Sequence, residues 1–267
     1  MYYHIISSDL DGTLLSPEYH LTEYTKNVIQ TLVKKGIYFV IATGRHYSEA
    51  YKIRESLGVS ACLITSNGAR IYDFNDKLVY SCDLDKKIVL KLIQILSLDK
   101  DVLVQLYSHN NWYINSNYNN SSKFFLSLDF KYKLFNYKYL QHQNISKIFF
   151  TSNNFKKLFL LENYINCQFK NLVNVNFSCS SCLEVTGYKA SKGHGLKLVS
   201  SLLGFSLENC LSFGDGMNDK DMLEISGKGC IVKNGCSILK RCLPHIEIIG
   251  SNAEDGVACY LHKLFLN

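Results

Sequence analysis

Long apolar runs are missing from this sequence, and so are dense clusters of basic residues. No apolar run among its 267 residues reaches the length of roughly 18 that a membrane-spanning helix requires. The formal net charge is +6, but the lysines are dispersed, so the chain lacks the basic run used in nucleic-acid binding. Its start has no basic region followed by an apolar stretch. We therefore expect a cytoplasmic protein whose partners include neither membranes nor nucleic acid.

A disulfide or zinc framework is missing as well, although the chain has ten cysteines. They are spread along the sequence. Most stand in apolar contexts, as Cys62 and Cys210 do, which is typical of small core residues. Cys179 and Cys182 form the one Cys-x-x-Cys pair, and no second pair or nearby histidine completes a zinc site. We predict that this pair flanks a turn between two strands.

Proline is scarce, with two residues, and no repeat or low-complexity linker divides the chain. A hydrophobic share of 47% and a charged share of 19% suit a globular protein of one large or two modest domains. Towards both ends, apolar strands alternate with segments of helical spacing, which predicts a parallel sheet covered by helices. Between them, short paired strands predict an α+β unit with a mainly antiparallel sheet. We predict a core of residues 1–83 and 189–267 and an inserted domain of residues 84–188.

Individual elements follow from the same spacing. Thr22 is a suitable first cap for a helix, and Gly36 is a suitable stop. The predicted elements of the first part of the chain are a strand at Tyr2–Ser8, a helix at Thr22–Lys35, a strand at Tyr38–Ala42, a helix at Ser48–Leu57 and a strand at Ala61–Thr65. In the insert, apolar spacing predicts a helix at Phe155–Tyr164.

Two carboxylates stand two residues apart at the end of the first predicted strand. Asp9 and Asp11 flank Leu10 and precede Gly12. The carboxyl ends of strands are where ligands bind in an open α/β sheet. One carboxylate could attack phosphorus there and the other could move a proton on and off the ester oxygen, with a hard cation holding both to the phosphate. Asp-x-Asp-Gly also occurs in ordinary turns, so this stretch alone leaves both interpretations open.

Thr43, Gly44 and Arg45 follow the next predicted strand of the core. A threonine hydroxyl can donate to a phosphate oxygen, and glycine lets the backbone approach it closely. The arginine could contact a substrate or pair across a cleft. An ordinary turn with a surface arginine explains the same three residues, so this motif is weak when taken alone.

Two further motifs stand in the last third of the chain. Gly214–Asp219 follows a predicted strand, Cys210–Phe213, and presents Asp215 at its end. Lys192 lies in the first turn of a helix for which Ser191 is a suitable cap. A cation at a helix N-terminus is unfavourable unless it serves an anion, although a solvated lysine is the simpler interpretation.

Together these motifs resemble those of the haloacid dehalogenase superfamily of phosphatases. The matching segments are Asp9-Leu10-Asp11-Gly12-Thr13, Thr43-Gly44-Arg45, Lys192 and Gly214-Asp215-Gly216-Met217-Asn218-Asp219. Ser66-Asn67-Gly68-Ala69 and the position of the insert are similar to its Cof-type branch. The resemblance spans essentially the full length. It implies an α/β fold with a Rossmann-like, doubly wound parallel sheet and a C2-type α+β cap domain inserted between the second and third motifs.

The resemblance also implies a Mg²⁺-dependent reaction that passes through an aspartyl-phosphate. In that scheme Asp9 is the nucleophile and Asp11 is the acid and base. Mg²⁺ is held by Asp9, by Asp215 and by Asp11 through its backbone carbonyl, while Asp219 supports Lys192 or the metal shell. The phosphate-binding residues implied are Leu10, Thr43, Gly44, Arg45, Lys192 and Asn218.

A closer likeness to Cof-type enzymes that dephosphorylate pyridoxal phosphate and sugar phosphates implies a small phosphorylated metabolite as substrate. A phosphotransferase or sugar phosphomutase on the same scaffold is the alternative, and a non-enzymatic binding protein is a third hypothesis. We expect a monomer or a weak homodimer. One departure concerns Lys233-Asn234-Gly235, where many relatives have Gly-Asn-Ala, and it puts the geometry of that loop in question.

Aromatic residues of the insert are a possible platform for a ring substrate. They are Tyr107, His109, Trp112 and Tyr113. Aromatic side chains in a strand pattern are more typical of packing, so we predict that they belong to the core or surface of the inserted domain.

Overall fold

The computed structural model of the protein describes residues 3–96, 99, 101–108, 111–115, 132–134 and 144–267. The chain divides into two compact units. The first comprises Met1–Tyr80 and Ser191–Asn267, and the second comprises Ser81–Ala190.

The second unit is slightly longer than the predicted insert of residues 84–188. The segments that enter and leave it belong to it because they contact its strands. Gly187 lies against Cys82, so closely that a Cβ at Gly187 would come within 2.6 Å of the Cys82 sulfur. Asn174 donates to the backbone oxygens of Tyr188 and Ala190 at 2.9 and 2.8 Å.

Fourteen strands and eight α-helices are formed by the residues that the structure describes. The strands are β1 (Ile5–Ser8), β2 (Tyr38–Ala42), β3 (Ala61–Thr65), β4 (Arg70–Tyr72), β5 (Leu78–Ser81), β6 (Leu103–Ser108), β7 (Asn111–Ile114), β8 (Tyr132–Leu134), β9 (Ile145–Thr151), β10 (Val173–Cys179), β11 (Cys182–Gly187), β12 (Cys210–Gly214), β13 (Lys228–Val232) and β14 (Glu247–Ile249). The helices are α1 (Glu23–Lys34), α2 (Tyr47–Leu57), α3 (Lys86–Leu96), α4 (Phe155–Gln168), α5 (Lys192–Leu202), α6 (Lys220–Ile225), α7 (Ser237–Cys242) and α8 (Gly256–Phe265).

The first unit is built on a sheet with strand order β14-β13-β12-β1-β2-β3-β4-β5. The pairs from β14 to β3 are parallel, and β4 is antiparallel to β3. Alternate residues face opposite cores, since Ile6 packs with α1, α2 and α8 and Ile5 packs with α5 and α6. The prediction of a doubly wound parallel sheet is confirmed.

Local signals set several element ends as predicted. The Thr22 hydroxyl accepts from the Thr25 amide at the start of α1, and Gly36, at φ +88°, follows its end. The prediction for α2 was one residue short, because His46 caps Ser48 and Glu49 reaches back to the His46 amide.

The prediction was wrong at the start of β1, which begins at Ile5 rather than Tyr2. Tyr2 lies outside the described residues, and His4 continues the strand pairing only through its backbone bonds to Asn209 and Tyr38. The helix predicted at Phe155–Tyr164 continues to Gln168, because the buried face that begins at Leu158 extends through Ile165.

The second unit has a sheet of order β10-β11-β9-β6-β7-β8, antiparallel except for β7 and β8. The prediction of an α+β unit with a mainly antiparallel sheet is therefore confirmed. Cys179 and Cys182 pair across the two-residue turn between β10 and β11, and both are free thiols. The turn predicted at this Cys-x-x-Cys segment is confirmed.

The aromatic residues of the insert pack as predicted where they are described. Tyr107 and Trp112 are buried in a cluster with Phe149, and the Trp112 indole donates to Gln105 at 3.1 Å. Tyr113 packs on the other core of this unit. His109 lies outside the described residues. Among the described helices, none is both long and apolar enough to span a membrane.

Candidate active site

The polar motifs of the first unit meet because their strands are neighbours. β1 lies between β12 and β2, with Ser8 opposite Phe213 on one side and Ile41 on the other. The Asp9 amide donates to the Phe213 oxygen at 3.0 Å, so Asp9 stands at the end of β1 beside the end of β12. The sheet topology thus brings together the residues that follow β1, β2 and β12, as expected for parallel strands.

Lys192 links two of these carboxylates. Its Nζ lies 2.8 Å from Oδ1 of Asp9 and 2.7 Å from Oδ1 of Asp219, and its side chain has no exposed surface. Ser191 caps the helix that carries it by accepting from the His194 amide. A cation at a helix N-terminus is electrostatically unfavourable, and here the carboxylates of Asp9 and Asp219 offset that cost.

Asp219 also holds the turn that presents Asp215. Its Oδ2 accepts from the backbone amides of Asp215 and Gly216 at 3.0 and 2.9 Å. Both oxygens of Asp219 are therefore engaged, one by Lys192 and one by the turn. Of the two expected roles, this arrangement favours the support of Lys192 over direct metal binding.

Asp215 faces the turn that follows β1. The Thr13 hydroxyl donates to its Oδ1 at 3.1 Å. Gly12 has φ +74°, and a Cβ at this position would come within 2.5 Å of Asp215 Oδ2. Glycine is thus required here both by the backbone conformation and by the close approach of the carboxylate.

Asp9, Asp215 and Asp219 each offer a carboxylate oxygen, and these three oxygens lie within 4.8 Å of one another. Burial raises the pKa of Asp9 well above its ordinary value; Lys192 opposes that shift, and the neighbouring aspartates add to it. Burial and the charge of Asp219 raise the pKa of Asp215 to about 6. Burial disfavours the charged form of Lys192, but Asp219 and Asp9 outweigh it and raise its pKa.

The charges of this cluster fit a divalent metal ion. Lys192 contacts two of the three carboxylates, those of Asp9 and Asp219. Burial, together with the neighbouring aspartates, raises the pKa of Asp9 and of Asp215. Carboxylate oxygens are the donors that hard cations such as Mg²⁺ take. Asp9 and Asp215 are the better ligands, since both oxygens of Asp219 already accept other bonds.

Asp11 pairs with Arg45. Arg45 Nε donates to Asp11 Oδ2 at 2.7 Å, and a terminal nitrogen of the same guanidinium donates to Oδ1 at 2.5 Å. The Arg45 amide donates to the Thr43 hydroxyl at 3.1 Å. The loop after β2 therefore reaches the turn after β1 through a two-pronged ion pair.

The other predicted phosphate-binding residues occupy different settings. Leu10 is fully buried in the core, so it can offer a ligand only its backbone. Thr43 is also fully buried, and Gly44 is half-buried beside it. Asn218 is half-buried in the turn between Asp215 and Asp219.

Sequence reasoning missed two asparagines that brace the site. Asn67 Oδ1 accepts from Asn218 Nδ2 at 3.1 Å. Asn234 Nδ2 donates to the Gly12 oxygen at 2.7 Å, and its Oδ1 accepts from the Asn252 amide at 2.9 Å. The departure at Lys233-Asn234-Gly235 thus leaves a loop that supports the turn after β1. In the sequence, only the Ser66-Asn67-Gly68-Ala69 motif drew attention to Asn67, and the resemblance assigned no function to this residue.

The chain is similar to known proteins over nearly its full length. A sequence model of the family described as haloacid dehalogenase-like hydrolase matches residues 6–261. A protein of Buchnera aphidicola subsp. Baizongia pistaciae, which has phosphatase in its name, is 56% identical over 98% of each chain. The HMP-PP phosphatase of Escherichia coli O157:H7 is 31% identical over 95% of this chain and 92% of its own length. A haloacid dehalogenase-like hydrolase from B. subtilis superposes with a TM-score of 0.87 at 24% identity, covering 98% of this chain and all of the other.

Proposed function

Since the chain belongs to the haloacid dehalogenase-like hydrolases, we propose that it hydrolyses small phosphate monoesters with Asp9 as nucleophile. It is an enzyme of the phosphoric monoester hydrolase class. The observation that carries the proposal is the buried Lys192 ammonium, which lies 2.8 Å from a carboxylate at the end of β1. An anionic nucleophile can approach an anionic phosphate only where such positive charge offsets their repulsion.

In the first step, an oxygen of Asp9 forms a bond to phosphorus while the bond from phosphorus to the leaving-group oxygen breaks. Asp11 gives its proton to that oxygen, so the substrate departs as an alcohol and Asp9 becomes an aspartyl-phosphate. Lys192 and the Thr43 hydroxyl bind oxygens of the transferring group, and Asn218 holds it from the side of β12. Positioning and electrostatics supply most of the acceleration in such transfers.

In the second step, water attacks the phosphorus of the aspartyl-phosphate. Asp11 accepts the proton of that water, the bond between phosphorus and the Asp9 oxygen breaks, and inorganic phosphate leaves. Asp9 is then free to act again, and the proton that Asp11 took from water is the one that it gives to the next leaving group. The Arg45 guanidinium, which lies against Asp11, is suited to bind the incoming anion and so to release Asp11 for proton transfer.

We propose Mg²⁺ as the metal, held by Asp9, by Asp215 and by the backbone carbonyl of Asp11. When bound, it supplies charge neutralisation and alignment of the phosphoryl oxygens. The carboxylate oxygens of the cluster, which lie within 4.8 Å of one another, support this assignment.

The substrate is a small phosphorylated metabolite. HMP-PP is a candidate because a relative with 31% identity is an HMP-PP phosphatase. Pyridoxal phosphate and hexose phosphates are the other candidates, in keeping with the motif resemblance. A panel of these esters together with flavin mononucleotide, with release of inorganic phosphate as the readout, would rank them by kcat/KM.

The test of the proposed function compares the purified enzyme with its Asp9→Asn variant in Mg²⁺. Wild-type protein is expected to release phosphate from at least one ester of the panel, and the variant is expected to be inactive. Added sugar acceptors distinguish hydrolysis from phosphotransfer, because a phosphotransferase would form a new phosphate ester in place of free phosphate. Turnover that survives in pure Asp9→Asn protein would overturn the nucleophile assignment.

A further inference from the structure

The turn after β3 has an unusual backbone. Ser66, Asn67 and Gly68 have φ values of +50°, +54° and +90° in succession. The left-handed region is uncommon for residues other than glycine, and a run of such residues persists only where the surroundings hold it. Asparagine tolerates this region better than most residues, because its short side chain can bond locally. Such a turn costs conformational free energy, so its backbone geometry must be held by contacts with the surrounding segments.

The turn touches two of the segments that form the site. The Ser66 amide donates to the Arg45 oxygen at 2.9 Å, and the Asn67 amide donates to the Thr43 oxygen at 3.0 Å. Gly68 lies against Ser191, where a Cβ would come within 2.1 Å of the backbone oxygen. The turn is thus fixed between the loop after β2 and the start of the helix that carries Lys192.

The Asn67 side chain reaches a third segment. It is 4% exposed, and its Oδ1 accepts from Asn218 Nδ2 at 3.1 Å. The Asn218 Oδ1 lies over Gly216, where a Cβ would come within 2.6 Å of it. The amide of Asn218 is therefore held at its nitrogen by the bond to Asn67, and its oxygen lies close to Gly216.

We propose that Asn67 is a positioning residue that fixes the Asn218 amide for phosphate binding. This inference rests on the proposed function, in which Asn218 holds the transferring phosphoryl group. Asn67 acts through Asn218 and does not touch the substrate. The left-handed turn supplies the rigidity, because it ties Asn67 to the Thr43 loop and to the start of the Lys192 helix.

A purely structural role for Asn67 makes a different prediction. Asparagine could be present only because the turn needs a left-handed residue. Glycine serves that need equally well, since it adopts positive φ without strain. Asn67→Gly therefore removes the amide while keeping the backbone, and it separates the two roles.

The experiment is a double-mutant cycle on hydrolysis of p-nitrophenyl phosphate, with Asn67→Gly, Asn218→Ala and the double variant. We expect each single variant to lower kcat/KM by about tenfold or more and to weaken inhibition by inorganic phosphate. The double variant should be no worse than Asn218→Ala alone, because Asn67 acts through Asn218. Losses that multiply, or full activity in Asn67→Gly, would overturn the proposal.

Asn171→Gly is the matched control, since Asn171 also has a positive φ, +61°, but lies in an exposed turn before β10. Its kcat/KM should equal that of the wild type. If Asn67→Gly does not fold, Asn67→Asp keeps a left-handed residue with an acceptor oxygen. Asn218→Ala should then lower kcat/KM in the Asn67→Asp background, and no change there would contradict the proposal. An inactive wild-type enzyme would instead count against the proposed function itself.

Discussion

Lys192 and Asp9 form a buried ion pair, with 2.8 Å between Nζ of the lysine and Oδ1 of the aspartate. The lysine side chain has no exposed surface, and it pairs with Asp219 as well. Breaking a buried pair leaves an uncompensated charge in a medium of low polarity, which costs far more than loss of a surface pair. Lys192 is therefore important for both stability and the proposed chemistry.

Lys192→Met should lower the free energy of unfolding by roughly 3–5 kcal/mol and abolish turnover. Urea unfolding at neutral pH and phosphate release measure the two effects. Lys26→Met is the control, because Lys26 pairs with the exposed Glu23. That change should stay within about 0.5 kcal/mol of wild type. A stable, active Lys192→Met protein would contradict the role of the buried pair.

Asp215 makes stability depend on pH in metal-free protein. Its pKa is raised to about 6 in the folded state, against about 3.9 in an unfolded chain. A raised carboxyl pKa means that its stabilising contribution is complete below about pH 4 and is lost as the pH rises through about 6. In EDTA, the Tm of wild type should therefore fall relative to that of Asp215→Asn across this window. Parallel Tm curves for the two proteins would show that the shift is absent.

Mg²⁺ provides the control for that comparison. A ligand that binds only the folded state raises Tm, and the increase grows with the logarithm of the ratio of ligand concentration to Kd. At pH above about 6, where Asp215 is ionised, Mg²⁺ should raise the Tm of wild type and have little effect on Asp215→Asn. An equal Mg²⁺ response in both proteins would place the metal elsewhere.

Asp11→Asn should separate substrates by their leaving groups. An alkyl phosphate needs a proton on its departing oxygen, so its turnover should fall by about 10²–10⁴-fold. Phosphorylation of the enzyme by p-nitrophenyl phosphate, whose leaving group is stable as an anion, should be nearly unaffected. Rapid-quench measurement of p-nitrophenol release tests this directly. Full turnover of the alkyl ester by Asp11→Asn would rule out the acid role.

Gly12→Ala should lower activity because its Cβ would come within 2.5 Å of Asp215 Oδ2. The carboxylate must then move, and with it the proposed metal site. Gly36→Ala is the control, since Gly36 has φ +88° but no atom within 4 Å of an added Cβ. That variant should lose about 1 kcal/mol or more of stability through backbone strain yet keep its kcat/KM. Equal kcat/KM in the two variants would contradict the account.

Local patterns predicted the fold where they were strong. β2 and β3 have the predicted bounds, and each is a short, mostly buried and mostly apolar run that a polar residue follows, Thr43 after β2 and Ser66 after β3. The start of β1 was mispredicted. The composition of Tyr2–His4 is typical of a strand, whereas the extent of β1 depends on its pairing with β12 and β2. β8 was not predicted, because it is three residues long and its exposed side chains give no periodic signal.

The sequence predicted which residues belong to the candidate site, but it did not predict the contacts between them. Asn67 and Asn218 are 151 positions apart, and Asn234 lies 222 positions from Gly12. No local pattern specifies such contacts, since they depend on how the strands are ordered in the sheet. The ion pair between Asp11 and Arg45 was missed for the same reason.

Trapping of the phosphorylated enzyme tests the central claim most directly. Asp11→Asn protein is mixed with p-nitrophenyl phosphate and Mg²⁺ and quenched in acid, and its peptides are analysed by mass spectrometry. In the proposed mechanism Asp11 activates water for the second step, so the variant should accumulate one phosphoryl group on Asp9, removable by hydroxylamine as expected of an acyl phosphate. Absence of that group from Asp9 while p-nitrophenol is released, or its appearance on another residue, would contradict the account.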